Sequence, residues 1–143
     1  MMEAMASWIV GVLMLMLPPQ WTQTATTCEQ VNVLQSPDGA TTEECRGVWS
    51  DGAAELTVIV WRPVVARDGG PMESVEDVKG RLLGKDVLVS RTSQFMGTQQ
   101  EVLVTSLTLT EPEAHILIYA KGVSPETFQA ILDGDLVAPA PAP

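Results

Sequence analysis

The segment Ser74-Val75-Glu76-Asp77-Val78-Lys79-Gly80-Arg81-Leu82-Leu83-Gly84 supplies the first of two helices in the fold expected from this chain. Ser74 with Asp77 three positions on is an imperfect capping box, with Asp where Glu or Gln is preferred, and both Glu76 and Asp77 suit a helix N-terminus. Val75, Val78 and Leu82 fall at i, i+3 and i+7 and give one apolar stripe, and Gly84 ends the element. Before it lies a loop of strong breakers, Arg67-Asp68-Gly69-Gly70-Pro71.

Strand patterns flank that helix on both sides. Glu55-Leu56-Thr57-Val58-Ile59-Val60-Trp61-Arg62 is the clearest, dominated by β-branched and aromatic residues. Asp51-Gly52-Ala53 joins it in a hairpin to a strand over Cys45–Trp49. A shorter strand spans Val31–Leu34, closed by the turn Ser36-Pro37-Asp38-Gly39, with Thr41–Glu44 as a polar loop. Downstream, Asp86–Arg91 and Glu101–Thr108 surround a loop at Met96-Gly97, and His115–Ala120 follows the break at Glu111-Pro112-Glu113. A second helix opens at Ser124 with Pro125 in its first turn, shows the apolar face Phe128, Ile131 and Leu132, and stops at Gly134. The order β-β-β-α-β-β-β-α predicts an α+β fold, a mostly antiparallel sheet of five or six strands with two helices covering it.

The N-terminus reads as an export signal. Trp8–Leu17 is a ten-residue apolar run ended by Pro18-Pro19, within the length of a signal-peptide core and short of a bilayer span. Residues 1–25 are therefore expected to form a signal peptide or short N-terminal anchor, residues 26–136 a single domain, and residues 137–143 a disordered Pro-Ala tail. Met1-Met2-Glu3-Ala4-Met5 lacks the basic residues such a signal prefers.

Export agrees with the cysteines. Cys28 and Cys45 are the only two, and their spacing matches neither a C-x-x-C redox pair nor a zinc quartet. A structural disulfide is the expected outcome in an oxidising compartment, periplasmic or extracellular. A simple hairpin of residues 29–34 with 46–50 would put Cys28 opposite the far end of the second strand. The bridge is therefore expected to need Cys28 beside the start of that strand, with 35–44 looping out.

With 18 acidic and 8 basic side chains the net charge is −10, which repels phosphate backbones and anionic headgroups. Nucleic acid is excluded as an expected partner, and membrane beyond the leader likewise; a cationic protein suits the charge. Nucleophilic catalysis lacks support, because His115 is the only histidine and no Gly-x-Ser-x-Gly elbow or phosphate loop is present. His115 itself reads as a half-exposed residue at a strand edge. The carboxylate pairs Glu43-Glu44, Glu76-Asp77, Glu111 with Glu113, and Asp133 with Asp135 fall in predicted loops or helix ends, where solvation is usual. No cofactor or metal ligand set is expected.

The expected function is non-enzymatic: an exported acidic domain that binds another protein, with a secreted cationic enzyme as one concrete partner. The candidate binding surface is Trp61 and Arg62, a Trp beside an Arg at a sheet rim, with Glu43, Glu44, Glu111 and Glu113. A small-ligand carrier with a pocket between sheet and helices is the alternative, and a hydrolase using paired carboxylates is a weaker one.

Overall fold

The computed structural model describes residues 6–10, 13–32, 41–62, 74–95, 98–110, 113–133 and 137–139. Ten strands and one helix occupy them: β1 (Ala6–Val10), β2 (Leu13–Leu17), β3 (Thr22–Asn32), β4 (Thr41–Ser50), β5 (Glu55–Arg62), β6 (Ser74–Leu82), β7 (Lys85–Phe95), β8 (Thr98–Thr110), β9 (Glu113–Lys121), α1 (Pro125–Leu132) and β10 (Val137–Pro139). Seven strands form one antiparallel sheet in the order β3-β4-β5-β9-β8-β7-β6, and β1, β2 and β10 form a small second sheet. Two meanders, β3-β4-β5 and β6-β7-β8-β9, meet where β5 pairs with β9 at the centre.

The protein is therefore mostly β, which corrects the expected α+β fold with two covering helices. The difference lies in Ser74–Leu82, which is strand β6 and not a helix. Val78 and Leu82, four positions apart, share a face in a period of 3.6 and in a period of 2 alike, and Val75, which fits the helical period alone, falls at the bulge between Ser74 and Glu76. Two local signals favour the strand. Gly80 interrupts the segment, which weakens a helix by about 1 kcal/mol. Leu83 and Gly84 both have positive φ, 53° and 76°, and join Leu82 to its partner Lys85 as a two-residue turn of the primed kind that matches strand twist. Gly84 is thus the second residue of a hairpin turn, not a helix cap.

The second expected helix is α1. Ser124 is its N-cap, its Oγ accepting from Thr127 N–H at 3.1 Å, and Phe128, Ile131 and Leu132 are buried. Its predicted stop at Gly134 lies outside the described residues, as do the predicted turn at 36–39, the breaker loop 67–71, the Met96-Gly97 loop and Glu111-Pro112.

One apolar core joins the two sheets and the helix. The inner face of the large sheet contributes Cys45, Trp49, Leu56, Val58, Val60, Ile116 and Ile118, and the covering layer contributes Val10, Leu13, Leu15, Leu17, Phe128 and Leu132. Leu13, Leu15 and Leu17 alternate with half-buried methionines, the period-2 signature of a strand with one buried face. In the full-length chain the apolar run read as a leader thus lines the core, and Val137–Pro139 of the Pro-Ala tail pair with Leu13–Leu15.

Cys28 and Cys45 are joined by a disulfide. They stand directly opposite in the β3–β4 ladder, which runs from Thr22↔Ser50 to Asn32↔Thr41. The hairpin is simple after all. Its strands start and end elsewhere than expected, β3 beginning before Cys28 and β4 before Cys45, so no looping out of residues 41–44 is needed to bring the cysteines together.

Candidate functional site

Alternation along each strand divides the large sheet into an inner face on the core and an outer face turned away from it. On the outer face the registers Glu29↔Glu44, Glu44↔Trp61, Trp61↔His115 and Thr108↔His115 align one row across five strands. Glu29, Glu44, Trp61, His115 and Thr108 stand side by side near one end of the sheet. Glu113, exposed at the start of β9, lies on the same face one step closer to that end.

The centre of this row is an aromatic pair. The Trp61 and His115 rings stack with centroids 5.7 Å apart and planes inclined by 24°. Thr108 Oγ1 is 2.9 Å from His115 Nδ1 and fixes the ring from its other side. Burial pushes the His115 pKa below its usual value, because the charged imidazolium loses hydration. Trp61 is only 8% exposed, so the pair is a firm, largely submerged platform with acidic residues to either side.

One step inward the row continues as Arg46, Ile59 and Leu117. Arg46 Nη2 lies 3.3 Å from Glu44 Oε1, and the Arg46 Nε is buried without a hydrogen-bond partner. Beyond these, Val102 and Val104 form a second apolar cluster with half-buried Leu117 and Tyr119, and Leu88 is 59% exposed. The outer face is therefore acidic at one end and apolar along its middle. A sheet face open to water usually carries polar residues at alternate positions; β9 departs from that, with Leu117 and Tyr119 outward and Ile116 and Ile118 inward.

The structure brings most of the predicted surface residues to this one end. Glu44 and Trp61 are adjacent on the outer face. Glu43 and Arg62 are also directly opposite each other, but one position along each strand, which places them on the inner side of the same rim. Glu113 shares the outer face, and Glu111 lies outside the described residues. His115, half-buried as expected, along with Thr108, Glu29, Leu117 and Tyr119, belongs to the site without having been predicted in it. The apolar residues at both parities of His115–Ala120 were the available sign.

The carboxylate pairs expected from the sequence are not brought together as pairs where their side chains are described. Glu43 and Glu44 are consecutive on a strand and point to opposite faces. Asp77 accepts from Ser90 Oγ at 2.6 Å, and Asp51 is engaged by the Ala53 and Ala54 amides at 2.9 and 2.6 Å, which hold its carboxyl below its usual pKa. No group of three or more His, Cys, Asp or Glu suited to a metal ion occurs among the described residues. No helix among them is long and apolar enough to cross a membrane. A cleft of about 450 Å3 opens near the entry to α1, lined by Val102, Leu103, Ala120 and Val123 and by the Arg91–Glu101 ion pair.

No protein-family model, no curated protein and no solved structure matches this chain.

Proposed function

We propose that this protein is an exported, non-enzymatic domain that binds a basic protein partner with the acidic end of its outer sheet face. The observation that carries the reading is the row Glu29, Glu44, Trp61, His115 and Thr108. It sets carboxylates beside a stacked aromatic pair whose His115 member is half-buried. Aromatic residues anchor protein interfaces through large rigid contact area, and a potential of one sign steers a partner of the other. The net charge of −10 favours the same class of partner, and an exported enzyme of basic charge is one concrete form of it.

Export is supported by the cross-strand disulfide, which is compatible with an oxidising compartment; because Leu13, Leu15 and Leu17 of the Trp8–Leu17 run lie in the core, the exported form retains that run.

The test is capture from the native compartment with wild-type and variant baits in parallel. The expected result is a basic protein whose retention falls as salt rises and is lost with Trp61→Ala or with Glu44→Gln combined with Glu113→Gln. Capture that ignores both salt and these substitutions overturns the assignment of the surface. Turnover of a substrate that vanishes on replacing one carboxylate, with the fold intact, overturns the non-enzymatic reading.

A further inference from the structure

We infer that β3 is a strand-addition site: an extended basic segment of the partner pairs with its free edge and lengthens the seven-stranded sheet. This rests on the basic-partner reading above and adds to it how the partner is held.

The edge is open and long. β3 is the terminal strand of the sheet, spans 11 residues, and is exposed from Thr24 through Gln30. Natural sheets blunt such edges with Pro, Lys, inward charges or covering elements. Thr22–Asn32 contains no Pro, Lys or Arg, and its one irregularity, a bulge between Gln23 and Ala25, leaves the stretch after it regular. The opposite edge is treated differently. β6 carries Lys79 and Arg81 and receives Gln129 Nε2 of α1 on the Arg81 carbonyl at 3.4 Å.

The register shows which backbone groups β3 offers. Cys28 and Cys45 have Cα atoms 4.1 Å apart, the close spacing of a non-hydrogen-bonded antiparallel pair. The N–H and C=O of Cys28 consequently turn away from β4, and by alternation those of Thr26 and Gln30 do too. These groups form the hydrogen-bonding row that an added strand requires. The disulfide ties the middle of β3 to β4, so the row is formed before any partner arrives.

Charge selects the occupant. An added strand would run beside Glu29 and Glu44 on the outer face and near Glu43, opposite Gln30, on the other. Alternate Lys or Arg side chains on the incoming segment share one face, and on the outer one they meet Glu29 and Glu44. A second copy of this chain would instead bring another Glu29 to the row and another net −10.

The experiment titrates the full-length protein with a seven-residue peptide alternating Lys and Val. A second peptide is identical except that its three central amides are N-methylated, which keeps the charge and blocks both of its edges. The expected result is binding at least tenfold tighter for the unmethylated peptide, with amide-exchange protection gained at Thr26, Cys28 and Gln30 alone in β3. Thr26→Pro, which removes an outward N–H and leaves the β3–β4 ladder intact, weakens binding by a similar factor at an unchanged thermal midpoint. Should Thr26→Pro unfold the protein, the exchange pattern decides in its place. Equal binding of the two peptides, or no gained protection, overturns strand addition, and if binding still falls with salt and with Glu44→Gln the basic-partner reading stands without it. Protection of the same amides without peptide, in a sedimenting dimer, overturns the basic segment in favour of a second copy. Indifference to charge throughout defeats both readings.

Discussion

Glu29 and Glu44 stand directly opposite each other on the outer face of the β3–β4 ladder. Like charges in that relation are unfavourable, and the Arg46 guanidinium beside Glu44 only partly relieves them. The protein therefore holds two carboxylates against their mutual repulsion at the end of the sheet where its aromatic platform lies. Replacing Glu29 by Gln is expected to stabilise the fold by about 0.2–1 kcal/mol, with the gain shrinking as salt screens the pair. Thermal unfolding at low and high ionic strength measures it.

The disulfide is expected to contribute on the order of 3 kcal/mol, because it closes a short loop in the unfolded chain. The Cys28→Ser, Cys45→Ser double variant should lose that much in denaturant unfolding. Cys45 is 3% exposed in the core, so the unpaired polar hydroxyl left there adds to the loss. A variant as stable as the wild type would remove the bridge from the account of this fold.

His115 makes stability depend on pH in a definite direction. Its folded pKa lies below the unfolded value of 6.5, so the unfolded chain takes up the proton first. Stability is full above about pH 6.5 and falls as the pH drops through that value toward the folded pKa. Asp51, held below the usual carboxylate value by the Ala54 and Ala53 amides, acts in a separate and more acidic window: its contribution is present above that usual value and fades as the pH falls below it. A thermal midpoint followed from pH 8 to pH 5 should decline in the wild type and stay flatter in His115→Gln.

Gly47 is buried where the inner face of β4 meets β1. A Cβ there would press into the Trp49 ring and lie 3.0 Å from a Val10 methyl. Gly47→Ala is expected to destabilise by about 1–3 kcal/mol, the usual range for overpacking. Calorimetry of the variant is the check.

The covering strands carry weight as well. Leu13, Leu15 and Leu17 are fully buried and Trp21 is 5% exposed. Burial of each such side chain is worth about 1.5–3 kcal/mol, together comparable to the whole stability of an ordinary domain. A chain starting at Thr26 is expected to lack a single cooperative transition, which near-ultraviolet circular dichroism on heating would show.

Some of this architecture was legible in the residues and some was not, for physical reasons. β5 matched its expected bounds because a central strand buried on both faces is apolar throughout. α1 matched because Ser124, Pro125 and the Phe128, Ile131, Leu132 face agree with one another. β3 was largely missed: an edge strand exposed on both sides has no hydrophobic alternation to read, and only its threonines hinted at strand. β6 was misread because four-residue spacing satisfies two periods. At the site, Trp61, Arg62 and Glu44 could be chosen locally. The stacking of His115 on Trp61 could not, since it depends on β9 returning to pair with β5 after the far meander is complete.

The contact between Gln129 and the Arg81 carbonyl has a consequence for stoichiometry. With a helix seated against β6 and charged side chains along it, the sheet is extended more readily from its β3 margin. Head-to-tail addition along the large sheet needs a donor edge and an acceptor edge on every molecule, and β6 meets that demand poorly where Lys79, Arg81 and the Gln129 contact lie. A strand added at β3 is therefore expected to give a closed complex and not a growing fibre.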